Sequence, residues 1–164
     1  MVLASVKLKV NGTEHEVTNF DTRSLLVDLL RERLRLTGTH VGCLTGNCGA
    51  CTVLLNDSSA KSCTILGVQT NGAEVITVEG LLSERGDSLK ERLHPIQKAF
   101  IDNHGLQCGY CTPGMIISAY QLLKRNPHPT KDEIKLGIAG NLCRCTGYTN
   151  IIRAIAEASK SLSK

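Results

Sequence analysis

Four cysteines sit where sulfur could hold a metal cluster. Cys43, Cys48 and Cys51 form a C-x4-C-x2-C array inside GCLTGNCGACT, residues 42–52, and Cys63 follows twelve residues after Cys51. This is a ligand spacing used for 2Fe–2S clusters. A loop wrapping a compact anionic cluster must turn its backbone N–H groups toward sulfur. Gly42, Gly46 and Gly49 suit that task, because glycine lacks a Cβ and accepts positive φ. The chemistry implied is one-electron transfer.

A second set lies downstream, Cys108 and Cys111 in QCGYC and Cys143 and Cys145 in NLCRC. Each pair is followed by a helix start, Thr112-Pro113 or Thr149-Asn150. Helix N-termini supply free N–H groups and partial positive charge that favour an anionic centre. On pattern alone this set fits a structural zinc tetrathiolate as well as an iron–sulfur cluster. For the first set the spacing disfavours zinc. Two sets of four account for all eight cysteines, and no export signal precedes them, so disulfides are the weaker reading.

The chain has 164 residues, 41% hydrophobic but only 3% aromatic and without Trp, enough for one ordinary domain or two small ones in need of a staple. Its formal charge of +4 counts the cysteines as neutral. Two oxidised clusters would each bring roughly −2, leaving the loaded protein near neutral. Lys and Arg are scattered, which argues against a nucleic-acid partner. Lys7 and Lys9 interrupt the N-terminal apolar run early, and no stretch approaches transmembrane length, so the expected location is cytoplasmic.

The elements that must position these sulfurs can be read in order. Val6–Val10 alternates with period two, Asn11-Gly12 turns, and His15–Val17 returns as a hairpin. Ser24–Leu36 carries an amphipathic leucine pattern and predicts a helix capped by Thr22 or Ser24. After the cysteine loop, Thr52–Leu55 predicts a strand, Asn56–Ser59 a turn, Lys61–Leu66 a strand carrying Cys63, and Val75–Val78 a last strand. One helix across a mixed sheet points to a β-grasp ferredoxin. The charged, turn-rich segment 83–92 marks a linker. Beyond it four helices are predicted: His94–Asn103, Thr112–Arg125 with Thr112 as cap and Pro113 in its first turn, one opening with the capping box Thr130-x-x-Glu133 and ending before Gly140, and about Asn150–Ser159. The expected fold is therefore α+β, with an N-terminal β-grasp plant-type ferredoxin domain over 1–82 and an all-α four-helix-bundle domain over 93–164.

Taken together, GCLTGNCGACTV (residues 42–53), Lys61-Ser62-Cys63, GLQCGYCTPGMI (residues 105–116) and GNLCRCTGYTNI (residues 140–151) resemble the small iron–sulfur subunit of the molybdenum hydroxylases, the xanthine oxidase family. The resemblance spans nearly the whole chain. It implies an electron-transfer subunit with two 2Fe–2S clusters, between a large partner holding a molybdenum–pterin cofactor and a medium partner holding FAD, as a heterotrimer or its dimer. Cys108, Cys111, Cys143 and Cys145 would then bind the cluster beside molybdenum, and Cys43, Cys48, Cys51 and Cys63 the plant-type cluster on the flavin side. It further implies that Gln107 and Cys145 contact the pterin, although Gln107 read alone is a solvent-exposed or backbone-capping amide.

The five histidines, His15, His40, His94, His104 and His128, read as surface or capping residues, since all eight cysteines are already assigned. His40, three residues before Cys43, is the one placed to tune a cluster through hydrogen bonding. Tyr110, between two ligands, reads as a shield against water. Two other functions compete: a free-standing two-cluster ferredoxin, and a zinc-stabilised binding module.

Overall fold

The computed structural model describes residues 2–83 and 87–162, with backbone alone at Lys90. Strand β1 (Leu3–Val10) turns through Asn11 and Gly12, both at positive φ, into β2 (Thr13–Asp21). Two left-handed residues make the tight turn whose twist matches a hairpin. Val6, Leu8 and Val10 point into the core, while Lys7 and Lys9 face water.

The helix expected over Ser24–Leu36 is shorter and of a different kind. Helix α1 covers only Leu26–Asp28 and passes directly into a π-helical turn, Leu29–Arg33. Neither Thr22 nor Ser24 caps it. Ser24 instead bonds back to the Asp21 carbonyl, and the Asp28 carboxylate accepts the Leu25 N–H at 2.9 Å. Leu26, Leu29 and Leu30 are all buried, on the i, i+3, i+4 stripe that an ordinary α-helix would also turn to the core.

β3 (Thr52–Leu55) and β4 (Ser58–Lys61) form a second hairpin about Asn56 and Asp57, so Ser58 and Ser59 belong to the strand rather than the turn. No strand follows from Lys61 to Leu66. Residues Ser62–Thr64 make a 3-10 turn held by Ser62, whose amide and hydroxyl both donate to the Cys51 carbonyl. That turn swings Cys63 inward beside Cys51. β5 (Glu74–Ile76) ends earlier than expected, because Val78–Leu81 coils into another 3-10 turn. The sheet order is β2-β1-β5-β3-β4, with β1 and β5 parallel and the other pairs antiparallel.

Part of the expected linker, residues 84–86, lies outside the described residues. Its remainder contains a short helix, α2 (Leu89–Arg92), capped by Ser88 and by the Glu91 carboxylate, which accepts the Asp87 N–H at 2.8 Å. Then come α3 (Pro95–Asp102), α4 (Thr112–Arg125), α5 (Lys131–Gly137) and α6 (Thr149–Leu162). His94 caps α3, its Nδ1 accepting the Ile96 N–H, and the Thr130–Glu133 capping box opens α5 as its sequence predicts. Cys111, not Thr112, occupies the N-cap of α4. The structure is thus a mixed α and β fold: a five-stranded sheet with a set of helices against it.

One hydrophobic core lies under the β1–β2 hairpin and α1, around Leu8, Phe20, Leu26 and Val75. A second, around Ile96, Phe100, Met115, Ile117, Ile151 and Ile155, also takes in Leu54 of β3 and Leu81, and a small third one holds Val27, Cys51 and Cys63. α4 therefore packs on the sheet as well as on its helical neighbours. Among the described residues no helix is long and apolar enough to cross a membrane.

Candidate metal centres

Each cysteine set is brought together, and within each the sulfurs meet two by two. In the first, Cys43 Sγ accepts the backbone N–H groups of Thr45 and Cys48, both at 3.4 Å. Leu44, at φ +56°, supplies the backward turn that aims those amides at sulfur, a conformation a branched side chain adopts only at a cost. These hydrogen bonds, Thr45 foremost, hold the Cys43 thiol down at about 5, so it is a thiolate at neutral pH. Cys51 and Cys63 form the other pair, both buried and packed in one small cluster with Val27. Burial pushes Cys51 up to about 11 in the cluster-free chain.

In the second set Cys108 and Cys145 lie 3.5 Å apart, sulfur to sulfur, and both are exposed. The Tyr110 amide, first among its hydrogen bonds, lowers the Cys108 thiol, while sharing a proton with Cys108 raises Cys145. Cys111 and Cys143 pair deeper in the loop. Burial lifts Cys111 to about 12. At Cys143 burial opposes ionisation but is outweighed by hydrogen bonds from Thr146, whose hydroxyl sits 3.2 Å from the sulfur. Tyr148, at φ +66°, turns back so that its hydroxyl accepts the Cys143 N–H at 2.9 Å.

The two sites share one cleft of about 250 Å³, which Cys43 and Cys48 line from one side and Cys108, Cys111, Cys143 and Cys145 from the other. Main-chain bonding joins them: the Leu142 N–H donates to the Cys48 carbonyl at 2.8 Å. Beside it Asn141, 3% exposed, donates to the Gly49 carbonyl at 2.9 Å and accepts the Ser118 hydroxyl at 2.7 Å. Gly114, in the first turn of α4, lies so close that a Cβ there would collide with the Gly49 carbonyl oxygen. Across the cleft Tyr110 reaches back to the first loop, its hydroxyl donating to the Val41 carbonyl at 2.6 Å and its carbonyl accepting His40 Nδ1–H at 2.9 Å.

The donor set suits a 2Fe–2S centre. Paired thiolates are what such a cluster takes, two to each iron. A Cβ on Gly42 would come within 2.9 Å of the Cys48 sulfur, so glycine leaves that sulfur its room. The Thr112 hydroxyl, next to Cys111, is buried without a hydrogen-bond partner, as a donor awaiting an anionic sulfur would be.

Gln107, next to Cys108 in the chain, is exposed. The bonds of Asn141, Leu142 and Tyr110 across the cleft are functional geometry that reading the sequence misses, since each joins residues with no local pattern in common. His40 is found where it can act, but its partner is a backbone carbonyl rather than a cysteine. His94 caps a helix as expected.

Comparison with known proteins agrees with this geometry. The family described as the 2Fe–2S iron–sulfur cluster binding domain matches residues 8–74, and the 2Fe–2S binding domain matches residues 77–156. The chain is 46% identical over 157 residues to caffeine dehydrogenase subunit gamma of Pseudomonas sp. strain CBB1, covering 94% of this chain and 90% of that one. It is 44% identical over 167 residues to the aldehyde oxidoreductase iron–sulfur-binding subunit of Escherichia coli K12, covering 93% and 70%. The structure of quinoline 2-oxidoreductase from Pseudomonas putida 86 aligns with a TM-score of 0.89 at 40% identity, over 98% of this chain and 96% of that one. Aldehyde oxidoreductase from Desulfovibrio gigas aligns at 0.88 and 37% identity, over 98% of this chain but 17% of that longer one.

Proposed function

This chain belongs to the small iron–sulfur subunits of the xanthine oxidase family, and from that membership we propose that it is the electron-transfer subunit of a molybdenum hydroxylase complex. Cys43, Cys48, Cys51 and Cys63 would hold one 2Fe–2S cluster, and Cys108, Cys111, Cys143 and Cys145 the other. Bound there, each cluster would accept and release one electron at a time. The observation that carries the reading is the shared cleft, where two paired-sulfur sites are joined by the Leu142–Cys48 bond.

The protein's residues have distinct tasks in this arrangement. Thr45, Cys48 and Thr146 donate to sulfur and stabilise the thiolate form. The exposed pair Cys108 and Cys145, with the exposed Gln107 next to Cys108 in the chain, would meet a large molybdenum–pterin subunit. There Gln107 and the Cys145 sulfur would contact the pterin. Cys43, on the other loop, would lie toward a medium FAD subunit. Substrate chemistry belongs to the partners, and thiols that must stay reduced for ligation suit a cytoplasmic complex.

Purification from the native host tests the proposal. The expected outcome is co-elution with molybdenum and flavin subunits and two distinct 2Fe–2S EPR signals on reduction. Cys145→Ser should disturb one signal and spare the other, and Gln107→Ala should keep both while slowing reduction by substrate. Elution alone, without molybdenum or flavin, would mark a free-standing ferredoxin instead; a colourless zinc protein would defeat both.

A further inference from the structure

We propose that Tyr110 is a positioning residue: with His40 and Val41 it forms a clasp that fixes the separation of the two cysteine loops on the solvent side of their cleft. The proposal rests on the two-cluster reading above.

Tyr110 sits between Cys108 and Cys111, and its partners lead into Gly42 and Cys43, about seventy residues away in sequence. Three contacts converge. The hydroxyl donates to the Val41 carbonyl at 2.6 Å. The Tyr110 carbonyl lies 2.9 Å from His40 Nδ1 and can only accept, so that nitrogen carries the proton. The two rings stack, centroids 4.7 Å apart and planes 25° from parallel. The ring edge also reaches Gly42, whose Cβ position is 3.8 Å from Tyr110 Cε1.

Shielding alone does not call for this geometry. Tyr110 is 50% exposed, and water could satisfy its hydroxyl. Instead its hydroxyl and its carbonyl are both bound to the opposite loop, while its amide serves Cys108. Nor is it arranged as a redox relay, because the phenolic proton points at a carbonyl that cannot take it.

The clasp completes a frame. Asn141 to Gly49 and Gly114 against Gly49 tie the loops in the buried interior, and Leu142, itself exposed, bonds Cys48 at the cleft. These ties alone would leave a hinge, with Cys43 and Cys108 at its free edge. Tyr110 ties the free edge. Electron passage falls steeply with distance, and a site holds its geometry only when its supporting contacts are themselves fixed.

The test uses the full chain with both clusters assembled, as wild type, Tyr110→Phe, Tyr110→Ala and His40→Ala. Two readouts bear on position rather than stability: the magnetic interaction between the reduced clusters in low-temperature EPR, and amide hydrogen exchange over residues 40–48. With both signals retained, Tyr110→Ala should lose or broaden the interaction and quicken exchange several-fold, with Tyr110→Phe and His40→Ala intermediate. Unchanged interaction and exchange in these variants would overturn the proposal, even if thermal stability fell. Should Tyr110→Ala lose a cluster, Tyr110→Phe and His40→Ala decide by the same criteria. Absence of two 2Fe–2S signals in the wild type would refute the underlying reading instead.

Discussion

The Leu142 N–H donates to the Cys48 carbonyl at 2.8 Å, so one residue adjoining Cys143 is bonded directly to a cysteine of the other set. The flanking residue, Asn141, makes the same crossing with its side chain. Both proposed cluster sites are therefore built on one short main-chain junction, and its integrity should govern both.

Asn141 is the polar centre of that junction. Replacing it with Ala leaves the Ser118 hydroxyl buried without its partner, while Gly49 keeps its bonds from Thr52. The expected cost is about 1–3 kcal/mol, the usual penalty for an orphaned buried polar group. Asn141→Asp should be worse, because a carboxylate cannot donate to the Gly49 carbonyl and would face it as an acceptor. Urea unfolding of the two variants gives the order; Asp at or above Ala in stability would contradict the hydrogen-bond assignment.

Gly114→Ala sets two effects against each other. Helix propensity favours Ala by roughly 1 kcal/mol at most in a helix interior, less in a first turn. The new Cβ would collide with the Gly49 carbonyl and approach Asn141 Nδ2 to 2.9 Å. Overpacking against backbone costs about 1–3 kcal/mol, so the net effect should be destabilising and visible absorbance from both clusters should fall. A more stable variant would show that α4 and the Gly49 loop need not touch.

Cysteine reactivity in the cluster-free, reduced chain should follow the local hydrogen bonding. Cys43, held down at about 5, is thiolate at pH 7, whereas burial keeps Cys51 and Cys111 protonated, at about 11 and about 12. Iodoacetamide at pH 7 should label Cys43 well before Cys51 or Cys111, and its labelling should slow as pH drops below about 5. Peptide mass mapping reads the order directly.

His94 should make the α3 cap sensitive to acid. Burial pushes its imidazole below the usual value of 6.5, and its neutral Nδ1 accepts the Ile96 N–H. The unfolded chain therefore takes up this proton first. The stability involved is complete above 6.5 and is lost as pH falls through the lowered folded value. His94→Asn keeps a capping oxygen that does not titrate. Thermal melts at pH 8 and pH 5 should show the wild type losing more Tm than the variant; equal losses would remove His94 from the account.

What the sequence made legible was local. Asn11-Gly12 specified its hairpin, and Pro95, Pro113 and the Thr130–Glu133 box located three helix starts, because each signal and its effect lie within one turn of chain. The cysteine spacings likewise grouped sulfurs that the fold brings near one another. The π-helical turn at Leu29–Arg33 was hidden, since a leucine pattern cannot distinguish a wide turn from an ordinary one. Cys63 on a 3-10 turn was hidden too: Ser62 and Cys51, not strand propensity, decide the backbone there. The Tyr110–Val41 and Asn141–Gly49 bonds span 69 and 92 residues, beyond any local pattern.

Leu54 of β3 buries its side chain in the helical core, and Gly114 leans on the Gly49 carbonyl. A nick between Ser83 and Asp87 should therefore produce two fragments that still co-migrate on size exclusion. Maturation meets the same contact: each cysteine set would be filled on a loop already packed against the other.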